Sequence, residues 1–241
     1  MDSIRKSALV AGTLYLLTFV GSIVAALLLG PAQNDPSLTL DTIPNSQVRL
    51  AAVFELLNAL TCFGTALAVF SIVKREHEGL ALGFVATRLF EAATLGVGII
   101  ALLTVATLRE NGVSFAAVGP ALVAIRFWSV VIGPGMAAFN ALMFGTLLYR
   151  SRLVPRAIPA LGILGAPVYI SFTVGTMLGI TGAGTAWQAI GVAPFFIWEL
   201  AVGLWMTFKG FDRNAPIVAA FDAKAEATSR GAVIAAKAGV A

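Results

Sequence analysis

The sequence predicts an all-α, polytopic membrane helix bundle of six transmembrane helices, with both termini on the cytoplasmic side. Three observations predict it. Hydrophobic residues make up 59% of the 241-residue chain and charged residues only 12%, against roughly 25% charged in soluble domains. Mean hydropathy is +0.91, so too little polar surface exists to cover a water-soluble fold. The apolar residues also fall in long runs, and basic residues gather in the short loops between alternate runs.

A membrane-spanning helix needs roughly 20 mostly apolar residues, because each residue rises about 1.5 Å through about 30 Å of hydrocarbon. The first such run is Ala8 to Leu29. Arg5 and Lys6 precede it as they would a signal peptide. Its apolar stretch exceeds the usual ~7–15 residues of a signal, however, and no small-x-small cleavage site precedes Gln33, so it reads as a retained helix. A loop rich in turn formers follows, with Pro31, Asn34, Asp35, Pro36, Pro44 and Asn45. The second run is Leu50 to Val73 and the third Leu80 to Ala106. The fourth covers Phe127 to Tyr149, with its start left open. The stretch from Ser114 to Ile125 is apolar but interrupted by Gly119-Pro120. It reads as an interfacial helix, a re-entrant piece or an extension of the fourth helix. The fifth run is Ala157 to Ile180 and the sixth Ile190 to Phe208. Residues 1–210 thus form the transmembrane domain. Residues 211–241, rich in Ala with scattered charges, form a cytoplasmic tail that is mobile or an amphipathic surface helix.

Orientation follows from the loops. One set carries Arg5 and Lys6, Lys74 and Arg75, Arg150, Arg152 and Arg156, then Lys209 and Arg213. The other carries Arg49 and Arg109, with Arg126 near the start of the fourth helix. Basic residues mark the cytoplasmic side. The formal net charge of +4 is therefore a topology signal, and no nucleic-acid partner is expected. The expected surroundings are a lipid bilayer.

Four ionisable residues fall inside the spans: Glu55, Arg88, Glu91 and Glu199. Glu91 and Glu199 each lie roughly 16 Å in, near the midplane. A charge there costs about 2.5–3.5 kcal/mol on insertion scales, so these groups must face the bundle interior, pair, or line water. Helical periodicity supports an inward polar stripe. Glu55, Asn58, Cys62 and Thr65 share one face of the second helix. Thr87, Glu91, Thr94 and Gly98 share one face of the third, with Arg88 beside them and one turn from Glu91. Ser129, Gly133 and Asn140 align on the fourth, and Glu199, Gly203 and Thr207 on the sixth. Three acids face one deep Arg, so a carboxyl is expected to carry a proton unless Arg126 reaches in. Gly133-Pro134-Gly135 interrupts the fourth helix, where the missing N–H of Pro134 predicts a kink or local unwinding. Gly12, Gly21, Ala25, Gly162, Gly175 and Gly179 read as close helix contacts.

Several classes find little support. The single His77 lies in a loop and no span holds a Lys or Asp. Bis-His haem, a retinal Schiff base and an aspartyl pair are all disfavoured. Ser71, Ser129 and Ser171 lack an intramembrane base. No metal-ligand cluster, cofactor motif or P-loop is present, so no metal or cofactor is expected. An internal echo pairs Asn58-Ala59-Leu60 with Asn140-Ala141-Leu142, Phe54-Glu55-Leu56 with Trp198-Glu199-Leu200, and Tyr15–Gly21 with Tyr169–Gly175. It would suit a duplicated helical hairpin.

The order Tyr15-Leu16-Leu17-Thr18, Phe54-Glu55-Leu56-Leu57-Asn58, Arg88-Leu89-Phe90-Glu91-Ala92, Leu148-Tyr149-Arg150-Ser151-Arg152-Leu153-Val154-Pro155-Arg156, Trp198-Glu199-Leu200 and Lys209-Gly210-Phe211 resembles the bacterial membrane proteins grouped as domain-of-unknown-function family 4386. The resemblance runs over roughly residues 5 to 211. It implies a multi-pass inner-membrane protein, and it brings no activity or assigned catalytic residue with it. The family's recurrent residues coincide with Glu55, Arg88, Glu91 and Glu199.

The functional expectation is a small-solute transporter or binding protein. Its site would be a polar intramembrane cavity around Glu55, Arg88, Glu91 and Glu199, walled by Asn58 and Asn140, with Arg88 as an anchor for an anionic group. The alternative is a structural or regulatory membrane protein whose buried charges only fix helix packing. An intramembrane enzyme is the weakest reading.

Overall fold

The fold is taken from a computed structural model, which describes residues 3–30, 40, 43–113 and 115–220, without the side chains of 115–117. Seven α-helices occur among the described residues, and no strand. They are α1 Ser3–Leu29, α2 Asn45–Val73, α3 Glu78–Glu110, α4 Phe115–Gly135, α5 Ala137–Ser151, α6 Ala157–Met177 and α7 Ala186–Phe208. Six segments are long and apolar enough to cross a membrane, because α4 and α5 together supply one of them, Val118–Ser151.

The expected spans are all present, with shifted ends. Helix α1 begins at Ser3, so Arg5 and Lys6 are part of it. The stretch left open before the fourth span is an extension of it, since α4 starts at Phe115 and carries Pro120 within the helix. A kink or local unwinding is expected at Gly133-Pro134-Gly135. Helices α4 and α5 meet at Met136, whose dihedrals stay α-helical and whose amide is shared between the carbonyls of Ile132 at 3.2 Å and Gly133 at 2.9 Å, two residues after the Pro134 that cannot donate. Helix α6 stops at Met177, short of Ile180, because Gly179 adopts a φ of +71°. That conformation makes Gly179 a turn former, with nothing within 4 Å of an added Cβ, and it takes no part in helix packing. The expected proline-rich loop falls mostly on residues 31–39, outside the described residues, as does the tail beyond 220. The start of that tail packs on the bundle: Phe211, Ala215 and Val218 are buried.

The spans form a ring in which neighbours in sequence are neighbours in space, and α1 closes it against α7. Close approach between neighbouring helices needs glycine. A Cβ at Gly12 would lie 2.5 Å from the Thr207 amide nitrogen at the α1–α7 closure, one at Gly162 of α6 2.5 Å from the Trp198 indole of α7, and one at Gly21 2.7 Å from the Phe54 carbonyl of α2. The Arg5 guanidinium then donates to the carbonyls of Met206 at 2.8 Å and Thr207 at 2.7 Å, satisfying the open end of α7. The outer faces carry Leu27, Leu60, Ile100, Leu164 and Phe208, all well exposed. An apolar belt on a bundle with a charged centre is the inverse of a soluble fold and matches a lipid solvent.

The loops sort into two ends. Arg5 binds the α7 terminus, Arg150 Nε donates to Glu76 at 3.1 Å, and the Asp212 amide donates to the Leu153 carbonyl at 2.9 Å. These contacts gather the basic loops at one end. At the other, Arg49 pairs with Glu110 at 2.5 Å, and Gln47 donates to the Leu28 carbonyl at 2.7 Å.

Candidate functional site

Two polar clusters occupy the interior at different depths. The deeper one is built on α3. Arg88 is 1% exposed, and its position one turn from Glu91 lets Nη1 reach Oε2 of that residue at 3.1 Å. Its Nη2 crosses to Glu199 Oε1 on α7 at 2.5 Å. Nη1 also lies 3.6 Å from the Cys62 sulfur on α2. The guanidinium faces the Tyr15 ring of α1 at 4.9 Å and the Phe84 ring at 5.8 Å. Asn140 of α5 donates through Nδ2 to Glu91 Oε2 at 2.7 Å, and its Oδ1 accepts from the Thr87 hydroxyl at 2.5 Å. One guanidinium therefore ties α3 to α1, α2 and α7, and Asn140 adds α5.

The second cluster joins α2 to α4. Arg126 Nη2 donates to Glu55 Oε1, and both residues are buried. The Arg126 carbonyl accepts from Ser129 at 2.7 Å. This pair is less completely satisfied than the first. Glu55 Oε2 and the Nε and Nη1 of Arg126 find no protein partner.

A cavity of about 150 Å³ lies between the helices on the Glu55 side. Its polar lining is Ser22 of α1, Glu55 and Asn58 of α2, Tyr169 and Thr176 of α6, and Gln188 of α7. Pro134 and Phe127 of α4 and Leu95 of α3 complete the wall. It extends from Ala183, in the α6–α7 loop, to Pro134 near the α4–α5 junction. Asn58 bridges the two levels, since its Oδ1 accepts from the Cys62 thiol at 3.6 Å, one turn nearer Arg88.

Of the sequence-predicted residues, Arg88, Glu91, Asn140 and Glu199 meet in one network. Glu55 and Asn58 line the cavity instead. Pro134 borders it, a Cβ at Gly133 would lie 3.4 Å from the Glu91 carbonyl, and one at Gly135 would lie 2.6 Å from the Thr173 methyl. The single expected cluster is thus divided between a compact ion-paired layer and an open polar wall. Arg126 does reach in, so three interior carboxyls face two guanidiniums. Sequence reasoning missed Tyr15, Tyr169, Ser22 and Gln188. A signal existed for the tyrosines. They are two of only three in the chain, each set in an apolar run at matching places in the internal echo. Gln188 sits in the first turn of α7, and the Ser22 hydroxyl bonds its own helix at the Phe19 carbonyl, so both read as ordinary polar residues and gave none. No group of three or more His, Cys, Asp or Glu side chains able to hold a metal occurs among the described residues.

A family model described as a domain of unknown function, DUF4386, matches residues 10–210. No curated protein and no solved structure matches the chain.

Proposed function

This chain belongs to the DUF4386 family, a grouping without an assigned activity, and we propose that it binds and moves a small polar solute through the bundle. The observation that supports this reading is the cavity itself. A space of about 150 Å³ lined by a buried carboxylate, two amides and three hydroxyls is an unusual thing to keep inside an apolar bundle, where each unpaired polar group is costly. It is smaller than the roughly 300–1,000 Å³ of drug-sized pockets, which limits the solute to a few heavy atoms.

The charge pattern narrows the solute further. The Nη groups of Arg88 are taken up by Glu91, Glu199 and Cys62, so the role of solute anchor moves from Arg88 to Glu55. Glu55 Oε2 lacks a partner, and Asn58 and Gln188 stand on the same wall, their amide oxygens each accepting one bond, from the Cys62 thiol and the Gly184 amide, and keeping a second lone pair. All three accept hydrogen bonds. Glu55 is matched by Arg126, so the surplus negative charge belongs to Glu91 and Glu199, which share Arg88. A small N–H-bearing cation suits a wall of carboxylate and amide oxygens. In this reading the basic end is cytoplasmic, the membrane is the bacterial inner membrane, and the Arg88 layer closes the cavity from the cytoplasm.

Protein in nanodiscs is titrated with methylammonium, guanidinium and urea while thermal unfolding is followed. At least one of the two cations raises Tm in the wild type, and Glu55→Gln abolishes the shift while remaining folded. Proteoliposomes then show uptake of that solute. Absence of any shift in the wild type, with Glu55→Gln and Asn58→Leu altering stability alone, overturns the proposal. That outcome favours the alternative, in which the charges only fix packing. The saturation of Arg88 already supports a structural role for its own layer.

A further inference from the structure

We infer a second site, for a phosphate-bearing anion, in a basic pocket at the end of the bundle where the start of α1 meets the end of α7. This inference is independent of the solute cavity. The pocket measures about 530 Å³ and is lined by Arg152, Arg156, Lys209, Trp205 and Asp212, with Val154, Pro155 and Phe211 at its base. Three cations face one carboxylate. That carboxylate is partly engaged, since Asp212 Oδ1 accepts from the Asn214 amide at 2.9 Å.

The concavity is built into the fold. Arg152 takes a φ of +57°, a conformation that non-glycine residues seldom adopt. The turn at Arg152 drives Leu153 and Val154 into the core, where they are buried, and leaves the Arg152 side chain exposed. The Asp212 amide, bonded to the Leu153 carbonyl at 2.9 Å, draws the segment after α7 across the α5–α6 turn and makes the opposite wall. The Arg156 guanidinium rests against the Tyr149 ring at 5.0 Å, which orients a group that would otherwise sample solvent. Arg156 also caps the first turn of α6, whose dipole favours an anion.

Topology alone explains basic residues in these loops, but it does not explain a pocket that collects three of them. A phosphate monoester or diester fits the donor set, because guanidinium and ammonium groups recognise its oxygens. Such a group has two sources, a lipid headgroup and soluble phosphate. The surroundings favour the lipid. Trp205 lies in the pocket wall, and the neighbouring Phe208 is 70% exposed on the lipid-facing surface. A headgroup in the pocket would leave its acyl chains along α7.

The test compares the full chain in phosphatidylcholine nanodiscs with nanodiscs holding added phosphatidylglycerol or cardiolipin. Retained lipid is read by native mass spectrometry after transfer to detergent. A parallel arm adds inorganic phosphate to the phosphatidylcholine sample and reads Tm. The variant Arg156→Gln/Lys209→Gln is set against Lys6→Gln/Lys74→Gln, which removes the same charge from the same end outside the pocket. Anionic-lipid retention falling about thirtyfold in the pocket variant, about fivefold for each basic side chain neutralised, and holding in the control, supports a lipid headgroup site. Stabilisation by inorganic phosphate that only the pocket variant loses supports the site with a soluble occupant. Equal losses in both variants, or preferential retention of neither lipid nor phosphate by the wild type, overturn it. Circular dichroism and Tm of both variants establish that they fold.

Discussion

Arg88 carries most of the polar interior, and its environment shows why it cannot be treated alone. Its guanidinium stays charged in any protein setting, and at 1% exposure it has no water to turn to. Glu91 and Glu199 neutralise it from two helices. Removing one member of a buried ion pair leaves a bare charge, typically a loss of about 3–5 kcal/mol, whereas replacing the whole set by apolar groups is often neutral. Arg88→Met is therefore expected to lower unfolding stability by about 3 kcal/mol. Arg88→Met/Glu91→Gln/Glu199→Gln is expected to regain most of it. Denaturant titration in detergent micelles measures both, and a triple variant weaker than the single would show that Arg88 contributes little through its charge. The intramembrane charges themselves were legible in the sequence, because bilayer energetics require a partner for each of Glu55, Arg88, Glu91 and Glu199. Which partner was not legible. Arg126 chooses Glu55 and Arg88 chooses Glu199 through the rotation of whole helices, and no local pattern records rotation.

At the scale of elements, two places decide the shape of the site. The first is the α4–α5 junction. Pro134 removes one helical hydrogen bond, and at Met136 the amide is shared between the Ile132 and Gly133 carbonyls while the dihedrals stay α-helical. Pro134 stands on the cavity wall, while Asn140, beyond the junction, meets Glu91. Pro134→Ala restores an amide that can donate to Val130, another wall residue. It is expected to raise unfolding stability, since proline in a helix interior costs about 3 kcal/mol, and to weaken solute-induced stabilisation. A titration matching the wild type would separate Pro134 from binding. The second is the α1–α7 seam. Any side chain at Gly12 meets the backbone of α7, and overfilling a packed contact costs about 1–3 kcal/mol. Gly12→Val is expected to lose about that much, while Gly96→Ala, with open space around it, is expected to be neutral or to gain up to about 1 kcal/mol. Thermal unfolding of the two variants checks the contrast. Six spans were legible from apolar run length. The closure of α1 on α7 was not, because the small residues that permit it are common in every helix of the chain.

Among the described residues the spans form a closed ring of six, an even number, so the described N-terminal and C-terminal segments emerge at one end. The Arg5 bonds to the last turn of α7 make that arrangement explicit. Arg5, Lys6, Lys74, Arg75, Arg150, Arg152, Arg156, Lys209 and Arg213 lie at this end, while Arg49 and Arg109 lie at the other. Arg49 is already paired with Glu110, and Arg109 donates to the Ile43 carbonyl at 3.0 Å. A bias of this size in short loops is expected to hold the basic end in the cytoplasm. The consequence for the site is directional. Gln188 and Ala183, at the mouth of the cavity, then face outward, and the Arg88 layer faces the cytoplasm. Cysteine labelling tests both statements together, because the native Cys62 is buried and should stay silent. On intact cells a membrane-impermeant maleimide is expected to label Asn111→Cys and Gln188→Cys, and to reach Asn214→Cys only after permeabilisation. The solute that stabilises the protein should slow labelling at Gln188→Cys and leave Asn111→Cys unchanged. The reverse sidedness would put the cavity mouth in the cytoplasm and make the Arg88 layer the outward barrier. Labelling of all three sites on intact cells would mean that the basic bias does not set a single orientation.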